Sequence, residues 1–261
     1  MSAPLRREEL TQAIISALEP LPWVQALAEA GSHAFGRADA WSDVDLLLVV
    51  DNGRHEEALR VVEQALAACS PIEAVLRIPE PAWHGMSQAF YRLERAGPHL
   101  LVDLCVASPE RPNSLSEVER HGTPTVYFDK TGAVQVTALD RPRHRELLAR
   151  RIATLRVSFP MFQTLVTRAV ARGQALDAIG AYHAHTLRPL VELLRIRHDP
   201  ARHDYHLRYL SFDLPPEVHA ALVDLAYPAS PQDILQRQRV AAALFADTLA
   251  HLDREGVTLL D

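Results

Sequence analysis

The feature that most restricts the fold of this chain is a pair of aspartates directly before an apolar run. Asp43 and Asp45 stand on either side of Val44, and the apolar run from Leu46 to Val50 follows. Side chains on a β-strand alternate between its faces, so both carboxylates point one way and Val44 points into a core. Carboxylates about 7 Å apart along one strand raise each other's pKa unless a cation lies between them. The pattern predicts a buried strand that begins at a site for a hard divalent metal such as Mg²⁺.

Two other features favour the same kind of site. Gly31 and Ser32 lie upstream, with 10 residues between Ser32 and Asp43. A glycine lets the backbone approach a phosphate closely, and the hydroxyl and N–H of a serine can bond the phosphate oxygens. Asp103 lies inside a second apolar run, where a lone carboxylate is costly to bury unless it is paired or bound to metal. Three carboxylates and a Gly-Ser loop fit a two-metal phosphoryl or nucleotidyl transfer site.

Each feature also has a purely structural interpretation. Asp43 can simply follow Ser42 in a turn, and Ser32 can cap a helix after an ordinary tight turn. Asp103 can be a structural carboxylate that pairs with an arginine. Arg37, further along the same loop, either reaches a triphosphate or is a solvated side chain, and the sequence does not decide between these. The functional interpretation is favoured for the acids and the Gly-Ser pair because they occur together.

Taken together, Gly31-Ser32, Asp43-Val44-Asp45 and Asp103 resemble the signature of the nucleotidyltransferase superfamily typified by DNA polymerase beta. The stretch GSHAFGRADAWSDVDLLLV is most similar to its small prokaryotic branch, which holds aminoglycoside and lincosamide nucleotidyltransferases and the antitoxin-type minimal enzymes. The resemblance covers roughly residues 24–106 and is specific for the superfamily rather than for a substrate. It implies ATP or another nucleoside triphosphate as donor, a hydroxyl-bearing acceptor such as an aminoglycoside or lincosamide, and a role in antibiotic resistance.

Hydrophobic periodicity divides the chain into two parts. Up to residue 140, helical and strand patterns alternate, which predicts an α/β (α+β) fold built on a mixed sheet with flanking helices. Asp140 can cap a helix and Pro142 fits a first helical turn, so the boundary is placed there. The prediction is a nucleotidyltransferase catalytic domain at 1–140 and a C-terminal helical bundle of four or five helices at 141–261. The predicted helices of the first part span 7–18 and 54–68, and the predicted strands 23–30, 72–78, 89–94, 99–106, 123–128 and 133–138.

The helical part contains two polar groups of residues that are candidates for binding. In the segment interrupted at Pro189, His185, Arg188 and Glu192 have the spacing of one helical face. That face can offer a base, a phosphate ligand and an acid to the triphosphate, or it can be a solvated surface. A second group either contacts the triphosphate or forms an exposed loop, and it consists of His198, Arg202, His203, His206 and Arg208.

Composition sets the outer limits. The 261 residues are 48% hydrophobic and 23% charged, a globular mix, and no apolar run approaches the roughly 20 residues of a membrane span. The first ten residues have no signal-like apolar core, so a cytoplasmic protein is expected. Two cysteines, Cys69 and Cys105, make no disulfide framework and are predicted to be buried thiols.

The charged residues restrict the partners. A net charge of −6 is not the basic balance typical of a nucleic-acid binder. Lys130 is the only lysine, so arginines and backbone N–H groups must hold any triphosphate. A monomer or a homodimer is expected, the latter because some resistance relatives build the site across two chains.

The sequence therefore predicts nucleotidyl transfer with release of pyrophosphate. Asp43 and Asp45 are predicted to hold two Mg²⁺ ions, with Asp103 completing one site and helping to deprotonate the acceptor hydroxyl. Triphosphate contacts are predicted for Gly31, Ser32, Arg37, His185 and Arg188. Two alternatives stay open, namely transfer to a protein or RNA partner, as in the antitoxin-type enzymes, and a module that binds nucleotide without catalysis.

Overall fold

A computed structural model describes residues 4–80, 82–113 and 115–258. The chain divides into two compact units, Met1–Ala138, here called the sheet unit, and Leu139–Asp261, here called the helical unit. The sheet unit comprises α1 (Arg7–Leu18), β1 (Val24–Glu29), α2 (Gly31–Ala34), β2 (Val44–Val50), α3 (His55–Cys69), β3 (Ile72–Arg77), β4 (Ser87–Leu93), β5 (Val102–Ala107), α4 (Val118–His121) and β6 (Thr125–Asp129).

The six strands form one mixed sheet in the order β3-β4-β5-β2-β1-β6. Strands β2 and β5 run parallel, whereas the other neighbouring pairs are antiparallel. The predicted α/β fold with a mixed sheet and flanking helices is confirmed. Because β2 and β5 are parallel neighbours, their first residues lie next to each other at the same end of the strands.

The two faces of the sheet differ in character. On one face Val44, Leu46 and Leu48 are almost fully buried against apolar residues of α1 and α3. On the other face Leu47 and Val49 join a smaller apolar cluster. The alternation along β2 thus follows the period of two that the sequence predicts, with Val44 in the core.

One predicted strand is wrong. Residues 133–138 form no strand, although the strand predicted at 123–128 is present as β6. The carboxylate of Asp129 accepts hydrogen bonds from the backbone N–H groups of Thr131 (3.2 Å), Ala133 (2.9 Å) and Val134 (3.0 Å). These bonds curl the chain around one side chain, so its N–H groups do not extend the sheet.

The helical unit contains α5 (Arg141–Ala171), α6 (Ala175–Tyr182), a π-helical turn (His183–Leu187), α7 (Arg188–His198), a 3₁₀ turn (Pro200–Arg202), α8 (Leu210–Asp213), α9 (Pro216–Ala226) and α10 (Pro231–Glu255). As predicted, Asp140 caps its first helix by accepting a hydrogen bond from the N–H of Arg143 at 3.1 Å. Helix α5 continues through Pro160. The core of the helical unit includes a stacked pair, Phe159 and Phe245, with ring centroids 3.8 Å apart.

The π-helical turn explains the interruption predicted near Pro189. A proline has no N–H for the carbonyl four residues earlier, which here belongs to His185. The side-chain amide of Gln163 donates to that carbonyl at 2.9 Å and so replaces the missing partner. Nowhere in the described part of the chain is a helix both long enough and apolar enough to cross a bilayer.

Candidate active site

Asp45 and Asp103 lie side by side on the two parallel strands. Asp45 pairs with Asp103 in the register of β2 and β5, one residue after the buried pair Val44 and Val102. Both aspartates are partly exposed, and their side chains leave the sheet on the face opposite the α1 and α3 core. Two carboxylates that are far apart in sequence therefore meet at the beginnings of neighbouring strands.

The backbone of Gly31 is packed against one of these carboxylates. Gly31 follows β1 with a φ of +58°, and a methyl group in place of its hydrogen would overlap Oδ2 of Asp45 and lie 2.9 Å from its Cβ. The N–H of Ala30 also donates to the Asp45 carbonyl at 2.8 Å. Only glycine fits both this backbone conformation and this close approach.

Ser32 is the second residue of the short helix α2. The N-cap of α2 is Ala30, so the interpretation of Ser32 as a helix cap is wrong. Its carbonyl accepts hydrogen bonds from the N–H groups of Phe35 (3.3 Å) and Arg37 (2.9 Å), which closes the loop on itself. The guanidinium of Arg37 lies 5.1 Å from the centre of the Phe35 ring. The triphosphate contacts of Ser32 and Arg37 stay predictions.

Asp43 is held differently from the other two acids. It directly precedes β2, and its Oδ1 accepts a hydrogen bond from the N–H of Leu101 at 3.2 Å. Its carbonyl accepts from Nη2 of Arg7 at 3.2 Å. Within residues 4–80, 82–113 and 115–258, there is no group of three or more His, Cys, Asp or Glu side chains that could hold a metal. The roles of Asp43, Asp45 and Asp103 as metal ligands therefore stay predictions.

A hydrogen-bonded chain that the sequence did not reveal reaches Asp103. The side-chain amide of Gln88 donates to Oδ1 of Asp103 at 2.8 Å, and its Oε1 lies 3.1 Å from Nε2 of the buried His84. The N–H of Met86 donates to Nδ1 of the same imidazole at 3.2 Å, so the ring proton is on Nε2 and points to Gln88. This fixes the orientation of the amide. A polar residue alternating with buried ones in β4 is the only sequence signal for it.

A buried ion pair supports the other side of the site. Glu29 at the end of β1 is 2% exposed and accepts hydrogen bonds from Nη2 of Arg7 and from the hydroxyl of Tyr127. Burial and the Glu29 carboxylate raise the pKa of Tyr127. Because Arg7 also donates to the Asp43 carbonyl, helix α1 is tied to the residue that begins the Asp-x-Asp segment. The sequence signal for this ion pair is Glu29 itself, an acid at the end of a largely apolar strand.

The carboxylate oxygens of this face are suitable ligands for a hard divalent cation. Burial raises the pKa of the neighbouring Cys105 thiol to about 12, with the negative charges of Asp103 and Asp45 as further causes. Asp45 and Asp103 lie next to each other on this face, so the nearby metal ligands are carboxylate oxygens. Mg²⁺ is commonly bound by one or two carboxylates together with the phosphates of a substrate. Asp45 and Asp103 provide two such carboxylates.

The helical-face prediction is only partly compatible with the structure. The carboxylate of Glu192 forms a two-point ion pair with Arg151, one of its bonds being 2.7 Å long, so Glu192 is not a free acid. His185 lies in the π-helical turn, with its ring 5.3 Å from that of Phe162. Nη2 of Arg188 lies 2.9 Å from Nε2 of His206. The nucleotide contacts of His185 and Arg188 stay predictions.

The second polar group in the helical unit is partly buried. His203 is 6% exposed and its ring packs edge-on to that of His144, with centroids 5.4 Å apart. Arg202 pairs with the fully buried Asp213 at 3.1 Å. The centre of this network is Arg195, which is fully buried and pairs with Asp213 at 3.0 Å and with Asp199 at 3.2 Å. His206 and Arg208 remain on the surface.

Replacing Arg195 is expected to destabilise the helical unit. Arg195→Met keeps most of the side-chain volume but leaves the buried Asp213 carboxylate short of a partner, which costs about 3 kcal/mol of unfolding free energy. Urea unfolding followed by circular dichroism measures this loss. Arg197→Met, on an exposed position of the same helix, is the control and is expected to change stability by less than about 0.5 kcal/mol. Equal stability of the two variants would contradict the assigned role.

Comparisons with known proteins give structural likeness only. No protein-family model and no curated protein matches the sequence. An aminoglycoside 6-adenyltransferase from Bacillus subtilis is similar in structure, with a TM-score of 0.40 and 14% identity over 98% of this chain and 94% of that one. A STING-associated c-di-GMP synthase, CdnE from Capnocytophaga granulosa, has a TM-score of 0.32 and 13% identity over 94% and 80% of the two chains. For CdnC with ATP from E. coli MS115-1 the TM-score is 0.28 and the identity 14%, over 91% and 90%.

One of these three structures is an aminoglycoside adenyltransferase. The scores are low for every one of the three. The function of this chain is therefore inferred from its own residues.

Proposed function

We propose that the chain is a nucleotidyltransferase that moves a nucleoside monophosphate from a nucleoside triphosphate to an acceptor hydroxyl and releases pyrophosphate. The observation that carries this proposal is the pairing of Asp45 with Asp103 at the start of two parallel strands, with the backbone of Gly31 packed against Asp45. Phosphoryl-type transfer depends mainly on positioning and on stabilising charge, and such a site offers both. A module that only binds nucleotide has no need for this arrangement.

Each residue has a proposed role. Asp43, Asp45 and Asp103 would hold Mg²⁺, and the bound ion would supply positive charge to the phosphates and to the reacting oxygens. Asp103 also accepts the proton of the acceptor hydroxyl, and Gln88 and His84 keep its carboxylate in place. Gly31 and Ser32 bring backbone N–H groups and a hydroxyl to the triphosphate.

The donor and acceptor are proposed from the resemblance alone. ATP is the proposed donor, and a hydroxylated small molecule such as an aminoglycoside or a lincosamide is the proposed acceptor. Transfer to a protein or RNA is the alternative.

Pyrophosphate release tests this proposal. The purified chain is incubated with Mg²⁺, each of the four common nucleoside triphosphates in turn, and a panel of hydroxylated aminoglycosides and lincosamides. Release that requires one acceptor supports transfer to a small molecule. Nucleotide binding without release for any acceptor would instead favour a macromolecular acceptor, which is tested by adding cell protein and RNA with labelled nucleotide. The absence of both binding and release would contradict the proposal.

The Gln88 amide is expected to affect the rate more than binding. Gln88→Leu removes the donor to Asp103 while keeping a similar volume, and we expect kcat to fall about tenfold, as for other residues that orient metal ligands. KM for the triphosphate is expected to change little, because Gln88 acts through Asp103. Initial rates over a range of triphosphate concentrations separate the two effects. Gln12→Leu on the exposed side of α1 is the control, and equal rates for both variants would contradict the positioning role.

A further inference from the structure

The helical unit contains a cavity of its own. Its volume is about 660 Å³, within the range of pockets that hold drug-sized ligands. Its apolar wall comes from α6, the π-helical turn and α7 and includes Gly180, Leu187 and Val191. The opposite wall is the segment from Tyr205 to Arg208. All the lining residues belong to the helical unit.

Two arginines supply positive charge to this cavity. Arg188 and Arg208 line it together with the imidazoles of His183 and His206, and no acid is among the described residues that do so. Arg188 is held in place by its contact with His206, 2.9 Å away, which joins the two walls. An apolar cavity bordered by two guanidiniums is complementary to an organic anion, since arginine binds carboxylate and phosphate groups through paired N–H donors.

The wall that carries Arg208 has an unusual backbone. His206 (φ +52°) and Tyr209 (φ +58°) are the only non-glycine residues with positive φ in the described part of the chain. Such conformations cost on the order of 1–3 kcal/mol each and persist only where the surroundings enforce them.

Arg195 enforces them here. From its buried position it donates through Nε to the His206 carbonyl at 2.9 Å and through Nη2 to the Arg208 carbonyl. The same guanidinium is anchored by Asp199 and Asp213, so the wall is fixed from beneath. The facing wall carries the π-helical turn, a feature that is frequent at functional sites. Two rare backbone features thus border one cavity.

We propose that this cavity is a binding site for a small organic anion with an aromatic or aliphatic body. Arg188 and Arg208 bind the acidic group, and the apolar wall around Gly180, Leu187 and Val191 takes the body. Binding here does not depend on nucleotidyl transfer by the sheet unit. It is a function of the helical unit beyond the activity proposed for Asp45 and Asp103.

A pair of matched dyes tests the proposal on the whole 261-residue chain. Anilinonaphthalene sulfonate has an apolar body with an acidic group, whereas phenylnaphthylamine has nearly the same body without the charge. Both become fluorescent in apolar sites, so titrations give a Kd for each without nucleotide or acceptor. The double variant Arg188→Gln/Arg208→Gln changes only exposed side chains. We expect it to raise the Kd of the sulfonate at least about tenfold and to leave that of the neutral dye within about twofold.

A second variant tests the shape of the site. A Cβ on Gly180 meets no atom within 4 Å, so Gly180→Leu fits the helix and extends into the cavity. It is expected to weaken both dyes at least about tenfold if they occupy this space. Arg197→Gln, an exposed arginine outside the cavity, is the control for charge and is expected to have no effect.

The outcomes separate cleanly. Sulfonate binding that is lost in the double arginine variant and in Gly180→Leu, but kept in Arg197→Gln, supports the proposal. Equal binding to all four proteins, or no binding to the wild type, would overturn it. The Asp45→Asn variant is included in the same titration and is expected to bind both dyes normally, so failure of the catalytic proposal leaves this result intact.

Discussion

Asp45→Asn is expected to lower the rate of nucleotidyl transfer by at least about 10³-fold without unfolding the protein. The substitution keeps the size of the side chain but removes one of two carboxylates that meet at the start of the parallel strands. A bound metal contributes several kcal/mol of charge stabilisation to such a reaction, and each 1.36 kcal/mol corresponds to a factor of ten in rate. Asp45 is partly exposed, and an asparagine keeps its size and one of its oxygens, so the fold is expected to be retained.

The rate is measured as pyrophosphate release with whichever acceptor supports turnover, and stability by thermal unfolding. A second readout needs no acceptor: binding of Mn²⁺ in place of Mg²⁺, followed by electron paramagnetic resonance, is expected to weaken in Asp45→Asn. Asp51→Asn is the matched control. It makes the same chemical change at the other end of β2, where the side chain is exposed and an asparagine can still accept the 2.7 Å hydrogen bond from Gln25. Wild-type rate and Mn²⁺ affinity in Asp45→Asn would contradict the metal site.

Gly31→Ala is expected to lower the rate at least about 100-fold, although it adds only one methyl group. That methyl would overlap the carboxylate of Asp45, so the carboxylate or the start of α2 must move. A displacement of about 1 Å at a catalytic group is enough to cost about 10²-fold. An alanine at the positive φ of position 31 also adds strain of about 1–2 kcal/mol to the folded state.

Gly53→Ala separates the strain from the displacement. Gly53 also has a positive φ, +75°, but a Cβ there meets no atom within 4 Å. Gly53→Ala is therefore expected to lose about 1–2 kcal/mol of stability and to keep the wild-type rate per folded molecule. Unfolding curves and initial rates of both variants test this. If Gly31→Ala keeps full activity, or if both variants lose the same activity, the close packing of Gly31 on Asp45 has no catalytic importance.

Much of the sheet unit follows from local patterns. The alternation of Asp43, Val44 and Asp45 before an apolar run predicts both the strand and the face on which its carboxylates lie, and Val44 is buried as expected. The strand with Asp103 was predicted from its own apolar run. That Asp45 and Asp103 are direct neighbours depends on the register of two parallel strands, for which the sequence holds no local signal.

The parts that could not be predicted depend on contacts between residues distant in sequence. Gln88 and His84 are ordinary polar residues until β4 and β5 pair, after which they orient Asp103. The supposed face of His185, Arg188 and Glu192 assumes a regular α-helix, whereas a π-helical turn precedes α7 and Arg151 binds Glu192. The strand expected at 133–138 is absent because the Asp129 side chain takes the backbone N–H groups that a strand would use.

The most direct test of nucleotidyl transfer follows the label of a radioactive triphosphate. The chain, Mg²⁺ and an acceptor that supports pyrophosphate release are incubated with ATP, or with the triphosphate that the release assay selects, labelled either at the α- or at the γ-phosphate. If the acceptor hydroxyl attacks the α-phosphorus, the α-label appears on the acceptor and the γ-label appears only in pyrophosphate. Transfer of the γ-label to the acceptor, or release of the γ-label as inorganic phosphate with none of the α-label transferred, would contradict the function proposed for Asp45 and Asp103.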